Sequence, residues 1–279
     1  MVAESAHSWA DAGNEIFLVV ADRRSRRDPD RTHPHGYGRE AYVWSMFAAV
    51  GLFVAGAVVS IWHGVTELTA EESSESFTVA YVVLGVSFVL EGISFLQARR
   101  EMSRQARGER DLLEQAMVTS DPTLRAVFAE DSAALVGIVL AALGIGLHQL
   151  TGSPVFDAAG SILIGVLLGV VAFVLIDRNR RFLVGEQLEA ATSARVLDRI
   201  ASLEGVSTVG YLHVEYVGPH RVLIVASVDL VGDAAESTVA DRLRALEQEL
   251  ESRPEVVEAI LTVSRPGQPP DADLPGDSD

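Results

Sequence analysis

The chain has 279 residues, no cysteine and a formal net charge of -17. That charge disfavours nucleic acid as a partner, and the lack of thiols excludes disulfides and thiolate metal sites, so any metal must be held by His, Asp or Glu. Hydrophobic residues make up 48% of the chain although 22% is charged, so the apolar residues are gathered in blocks, and no nucleophile-base pair or phosphate loop points to an enzyme.

The chain opens on "ESAHSWADAGNE", residues 4–15, followed at once by "IFLVVA". His7 and Asp11 stand at i and i+4, so on a helix they point the same way. A strongly basic stretch, "RRSRRDPDRTHPHGYGR" at 23–39, comes next. Residues 42–62, "YVWSMFAAVGLFVAGAVVSIW", carry no charge and are long enough to cross roughly 30 Å of hydrocarbon at about 1.5 Å per residue. Further apolar blocks follow at 78–96, interrupted by Glu91, at 132–150, and at 154–176 with Asp157 near its start.

Loop charge sets the orientation, because short cytoplasmic loops collect Lys and Arg. The stretches 23–39, "ARREMSRQARGER" at 98–110 and "DRNRR" at 177–181 are basic. By contrast, "TELTAEESSES" at 66–76 is acidic and "HQLTGSP" at 148–154 has neither Lys nor Arg. The alternation predicts residues 23–39, 98–123 and everything after about 177 in the cytoplasm. Residues 1–22 are then a membrane helix running inward, with His7 and Asp11 inside the bilayer. The predicted membrane domain is 1–182, an all-α polytopic bundle with helices at about 1–22, 40–65, 77–98, 124–150 and 155–177. No secretory signal peptide is visible at the start.

Beyond Leu188 the pattern is that of a soluble α+β domain, expected over 183–266. "ATSARVLDRIASLEG" has helical spacing and stops at glycine, as helices often do. "VSTVGYLHVEYVG" and "HRVLIVASVDLVG" read as a hairpin of strands. A charged amphipathic helix, "AAESTVADRLRALEQELESRP", and a last strand, "VVEAILTVSRP", complete the order. Helix, strand, strand, helix, strand suits a small ferredoxin-like sandwich. The tail 267–279, rich in Pro, Gly and Asp, is predicted to be disordered.

An ionisable side chain at the centre of a membrane helix costs about 2.5 to 3.5 kcal/mol on insertion scales, so it needs a partner or an aqueous cavity. His7 and Asp11 are either a buried hydrogen-bonded pair or two ligands of a divalent cation such as zinc. "AEDSAALVG" adds two more carboxylates, Glu130 and Asp131, at an intramembrane position on the helix that begins near Leu124.

"HPHGYGR" at 33–39 resembles the HP-x-GYGR signature of the cation diffusion facilitator family, the zinc transporters. His7-x-x-x-Asp11 is similar to that family's second-helix metal motif, and the carboxy-terminal sandwich to its cytoplasmic domain. "EDSAALVG" and "GSPVFDAAGSILIG" resemble the branch that includes zinc transporter 9. The resemblance reaches to about Pro266. It implies a six-helix membrane unit that binds one divalent metal between its second and fifth helices and exchanges it for protons, in a homodimer. Carried onto this chain, the ligands are His7, Asp11 and Asp131, the last followed by "SAA". The first position of the fifth-helix pair falls on Val127, which cannot ligate. Glu130, a water, Asn14 or Glu15 could complete the shell.

The expected function is therefore divalent cation export, with zinc, manganese, iron or cobalt as transported substrate, proton as counter-ion and no prosthetic group. The expected setting is multi-pass in the cell membrane, surrounded by lipid, with the carboxy-terminal domain in the cytoplasm. A membrane scaffold or regulator that keeps the fold without transport is the alternative, which Val127 allows. His33 and His35 could hold a second metal or simply shape a turn built on Pro34 and the neighbouring glycines. His213 and His220 lie at opposite ends of the predicted hairpin, Glu91 and Asp157 are expected to pair or cap inside the bundle, and His63 and His148 to sit near the outer interface. Against the family's six helices the chain shows five, which leads to the expectation that the coding region extends upstream of Met1 by one further helix.

Overall fold

Each charge-free block forms a long helix in the computed structural model, which describes residues 16–68, 77–105 and 112–265. The backbone divides into two units, one of residues 1–23 and 41–180, the other of 24–40 and 181–279. Residues 24–40 thus fold with the second unit although they lie inside the span 1–182.

In the first unit, α1 is helical over the described residues 16–25. The next helix is α2 (Glu40–Ala49), a π-helical stretch (Val50–Val54) and α3 (Ala55–Glu67) end to end. The wider π turn breaks the regular α-helical register that its unbroken apolar run predicts. Then come α4 (Phe77–Gln105), a short α5 (Leu112–Val118), α6 (Pro122–Thr151) and α7 (Val155–Val184). The last three long helices exceed their predicted ends at 98, 150 and 177, because basic and polar residues continue the helix past the apolar block. The short α5 falls inside a stretch read as loop.

α4, α6 and α7 are each long and apolar enough to cross a membrane, judged by length and composition. Large apolar side chains such as Val82, Val89, Leu143, Val166 and Phe173 are exposed on them, which a hydrocarbon solvent accommodates and water does not. α6 starts cleanly because the Asp121 carboxylate accepts from the amides of Thr123 and Leu124 at 3.0 and 3.1 Å, ahead of Pro122 at the first turn.

The small residues of "GAVVSIWHG" and "GSILIGVLLG" bring α3 against α7. A Cβ on Gly64 would stand 2.6 Å from the Ala158 carbonyl oxygen, and one on Gly165 would stand 2.8 Å from that of Ala57. Such backbone approach, with van der Waals contact in place of a hydrophobic drive, is how membrane helices associate. Ala49 and Phe53 pack with Ala172 and Leu175 a few turns away.

In the second unit, α8 (Ala190–Ala201), β1 (Val206–Gly218), β2 (Arg221–Leu230), α9 (Glu236–Glu251) and β3 (Val256–Val263) follow in the order their periodicities predict. The sheet order is β1-β2-β3, with β1 and β2 antiparallel and β2 and β3 parallel. Strict alternation of burial along β2 turns Val222, Ile224, Ala226, Val228 and Leu230 to the core, where Ile200, Leu246 and Leu250 from the two helices meet them. Residues 186–188 extend the sheet at the free edge of β1, through Tyr216 N to the Glu186 carbonyl and Leu188 N to the Val214 carbonyl.

Candidate functional site

Asp131 lies on α6 about 14 Å from the start of the helix, at 1.5 Å per residue. It is buried, with 5% of its surface exposed. The Ser94 hydroxyl on α4 donates to its Oδ2 at 2.9 Å. The two helices pack as an antiparallel pair, and Phe95 stacks on Phe128 with ring centroids 5.4 Å apart. The face of α4 turned inward carries Ser87, Glu91, Ser94, Ala98 and Met102, a helical stripe of threes and fours. Glu91 therefore shares the face of Ser94, one turn away from it.

Glu130, about 100° around the helix from Asp131, is half-buried. Val127 packs against the cluster of Ala98, Met102, Ala116 and Phe128, so an apolar residue suits that position and a carboxylate would not. His7 and Asp11, like Asn14 and Glu15, lie outside the described residues. Among the described residues no group of three or more His, Asp or Glu side chains is brought together for a metal. What sequence reasoning missed is Ser94: a hydroxyl three residues after an intramembrane glutamate was the available signal.

The basic loop is ordered from within. The Asp30 carboxylate accepts from the Thr32 hydroxyl at 2.6 Å, the Tyr37 hydroxyl at 2.6 Å, and the backbone amides of Thr32 and His33 at 2.8 and 2.9 Å. The Thr32 and Tyr37 hydroxyls, then the amides, hold this carboxyl well below its ordinary value of 3.8. The Tyr37 ring centroid lies 4.1 Å from that of the His33 ring and 4.4 Å from the Arg27 guanidinium carbon. A carboxylate with a depressed value supports its loop fully above its unfolded value and ceases to do so as it protonates. The protection of amides in residues 30–37, taken relative to their intrinsic exchange rates at each pH, is therefore expected to be full at neutral pH and to decline as the pH falls below about 4. The Asp30→Asn variant should lack that pH step, and an unchanged step in its exchange profile would refute the assignment.

The loop is clamped to the open face of the sheet. Arg39 pairs with Glu215 at 2.9 Å and His35 Nε2 lies 3.0 Å from Glu258 Oε2. Glu215 on β1 stands opposite Leu223 on β2, which stands opposite Glu258 on β3. The two side-chain contacts thus hold the loop along one row that crosses all three strands. His33 and His35 serve separate partners, Asp30 and Glu258, so they do not form one two-histidine site. His213 is placed in the middle of β1, beside Gln187 and Glu215, and His220 in the β1–β2 turn with φ of 55°. The hairpin ends expected for the two histidines are thus corrected for His213, because β1 runs five residues past it. His63 meets Glu67 at 3.6 Å one turn on in the same helix, and the His148 ring lies edge-on to Phe77 of α4.

Residues 1–184 match the family model described as the cation efflux transmembrane domain. The chain is 36% identical over 236 residues to metal tolerance protein C4 of Arabidopsis thaliana, covering 83% of this chain and 51% of that protein. It is 33% identical over 233 residues to the mitochondrial proton-coupled zinc antiporter SLC30A9 of Homo sapiens, covering 83% of this chain and 41% of that one. An uncharacterized transporter of Methanocaldococcus jannaschii is 22% identical over 271 residues, 94% of this chain and 87% of its own length. The chain spans about half the length of the plant relative and about two fifths of the human one.

Proposed function

Because the chain belongs to the cation efflux family, through the match of residues 1–184 to its transmembrane domain, we propose that it exports a divalent metal cation, zinc first, from the cytoplasm in exchange for protons. It is an integral membrane protein of a transporter family, not an enzyme. The observation that carries the reading is Asp131, a carboxylate buried inside a long apolar helix, where charge is costly unless it serves an ion path. The proposed ligands are His7, Asp11 and Asp131, with Glu130 as the nearest further oxygen donor. The names of the plant and human relatives, metal tolerance and zinc antiport, support the substrate class.

Proton exchange follows from ligand chemistry. A ligand must lose its proton to bind metal, so metal and proton compete for the same atoms, and an imidazole such as that of His7 titrates near neutral pH when unperturbed. Manganese, iron and cobalt are compatible with the same donors. The reading includes five membrane helices in this chain, a ferredoxin-like domain at 183–266 on the cytoplasmic side of the cell membrane, and a homodimer, the commonest closed assembly. The test is zinc accumulation in proteoliposomes under an imposed pH gradient. Uptake that requires the gradient supports antiport; no uptake of any of the four metals leaves the non-transporting scaffold.

A further inference from the structure

We propose that Ser94 is a positioning residue for metal transport: its hydroxyl holds Oδ2 of Asp131 and so determines which carboxylate oxygen faces the ion. The inference rests on the reading of Asp131 as a ligand given above. Its foundation is the 2.9 Å hydrogen bond between α4 and α6.

Three other serine and threonine hydroxyls in the long helices turn back on their own backbone. Ser132 donates to the Phe128 carbonyl at 2.6 Å, Thr66 to that of Trp62 at 3.0 Å, and Thr151 to that of Leu147 at 2.7 Å. That local bond is the ordinary resting place of a serine or threonine in a helix. Ser94 gives its one donor hydrogen to a carboxylate on another helix instead. The choice follows from position, because Ser94 lies on the inward stripe of α4 and Asp131 is buried opposite it.

The consequence is geometric. A carboxylate has two oxygens and about four lone-pair sites. With one lone pair of Oδ2 engaged by Ser94, Oδ1 is the less encumbered oxygen for a cation, which favours ligation through it in a fixed direction. Partners that orient a ligand in this way typically change metal affinity 10- to 100-fold when removed. α4 bears none of the proposed ligands, so a third helix would set the geometry of a site shared by two others. Substitution of Ser94 frees the carboxylate to rotate, and the ion then meets a ligand whose orientation must be fixed on each binding event.

The test uses the full chain in proteoliposomes, with zinc as the probe, and compares the parent with Ser94→Ala, Ser94→Thr, Asp131→Asn and the Ser94→Ala/Asp131→Asn double variant. The expected result is a rise in KM of about tenfold for Ser94→Ala, with the maximal rate within about twofold of the parent and restoration of KM by Ser94→Thr. In the Asp131→Asn background the alanine should add nothing to the loss of zinc binding, read by calorimetry on detergent-solubilised protein. An unchanged KM, a fall in maximal rate alone, or an equal further loss in the double variant overturns the proposal. The outcomes separate the two readings. If the parent transports and Asp131→Asn transports equally well, the ligand assignment fails; if only Ser94→Ala behaves as the parent, the positioning role fails. Should the parent transport nothing, calorimetry on the same variants still decides the Ser94 effect on zinc binding.

Discussion

Asp131→Asn is expected to reduce zinc uptake to the background of protein-free liposomes, while Glu130→Gln retains most of it. Asparagine matches aspartate in shape and keeps a carbonyl oxygen that can accept from Ser94, so the α4–α6 contact survives. It removes the negative charge that a dication needs, at a buried position where a charge interaction is stronger than in solution. The fall in zinc affinity should exceed the 10- to 100-fold typical of losing a partner that merely orients a ligand. Glu130 lies about 100° away around the helix and is half-buried, so its amide should cost far less. Uptake by each variant, normalised to protein reconstituted, is the measurement. The reverse order would move the ligand to Glu130.

Gly38→Ala should release the basic loop from the sheet. A Cβ at this position would lie 2.6 Å from the Val217 carbonyl oxygen and 2.8 Å from Gly218 Cα. Both are backbone atoms of β1, at the end where Gly218 stands opposite Arg221 of β2, so relief requires the backbone itself to move. Gly218→Ala makes the reciprocal clash, 2.7 Å from Gly38 Cα. Overpacking of this kind costs about 1 to 3 kcal/mol. Arg39→Ala, by contrast, removes one partly exposed ion pair with Glu215, worth about 0.2 to 1 kcal/mol. Hydrogen exchange on the full chain should therefore show residues 30–40 exposed in both glycine variants and nearly normal in Arg39→Ala, with strands β1 to β3 protected throughout. Undisturbed exchange in Gly38→Ala would mean that the loop does not rest on the sheet.

The loop also shows why its residue pattern is so demanding. Asp30, Thr32, His33 and Tyr37 bind one another within eight positions of chain, so their types are readable as a local turn. His35, Gly38 and Arg39 face strands far along the chain. Nothing in "HPHGYGR" by itself says that its histidines part company, one to Asp30 and the other to Glu258.

Much of the architecture was decided by amino-acid order alone. Apolar runs of about twenty residues, broken at most by a single carboxylate, can satisfy their backbone in hydrocarbon only as helices, and this is why α4, α6 and α7 could be read directly. A β-rich run bounded by turn residues marked β2, and helical spacing ending at glycine marked α8. These are local patterns, set by the 3.6 and 2.0 residue repeats of side-chain direction. Tertiary structure decided what no local pattern encodes: the π-helical break at Val50–Val54, the bond from Ser94 to Asp131 across 37 residues, and the clamp of Arg39 on Glu215 across 176. The last two depend on which face of one element meets which face of another. A helix period tells which residues share a face, but only packing in three dimensions selects the partner that face receives.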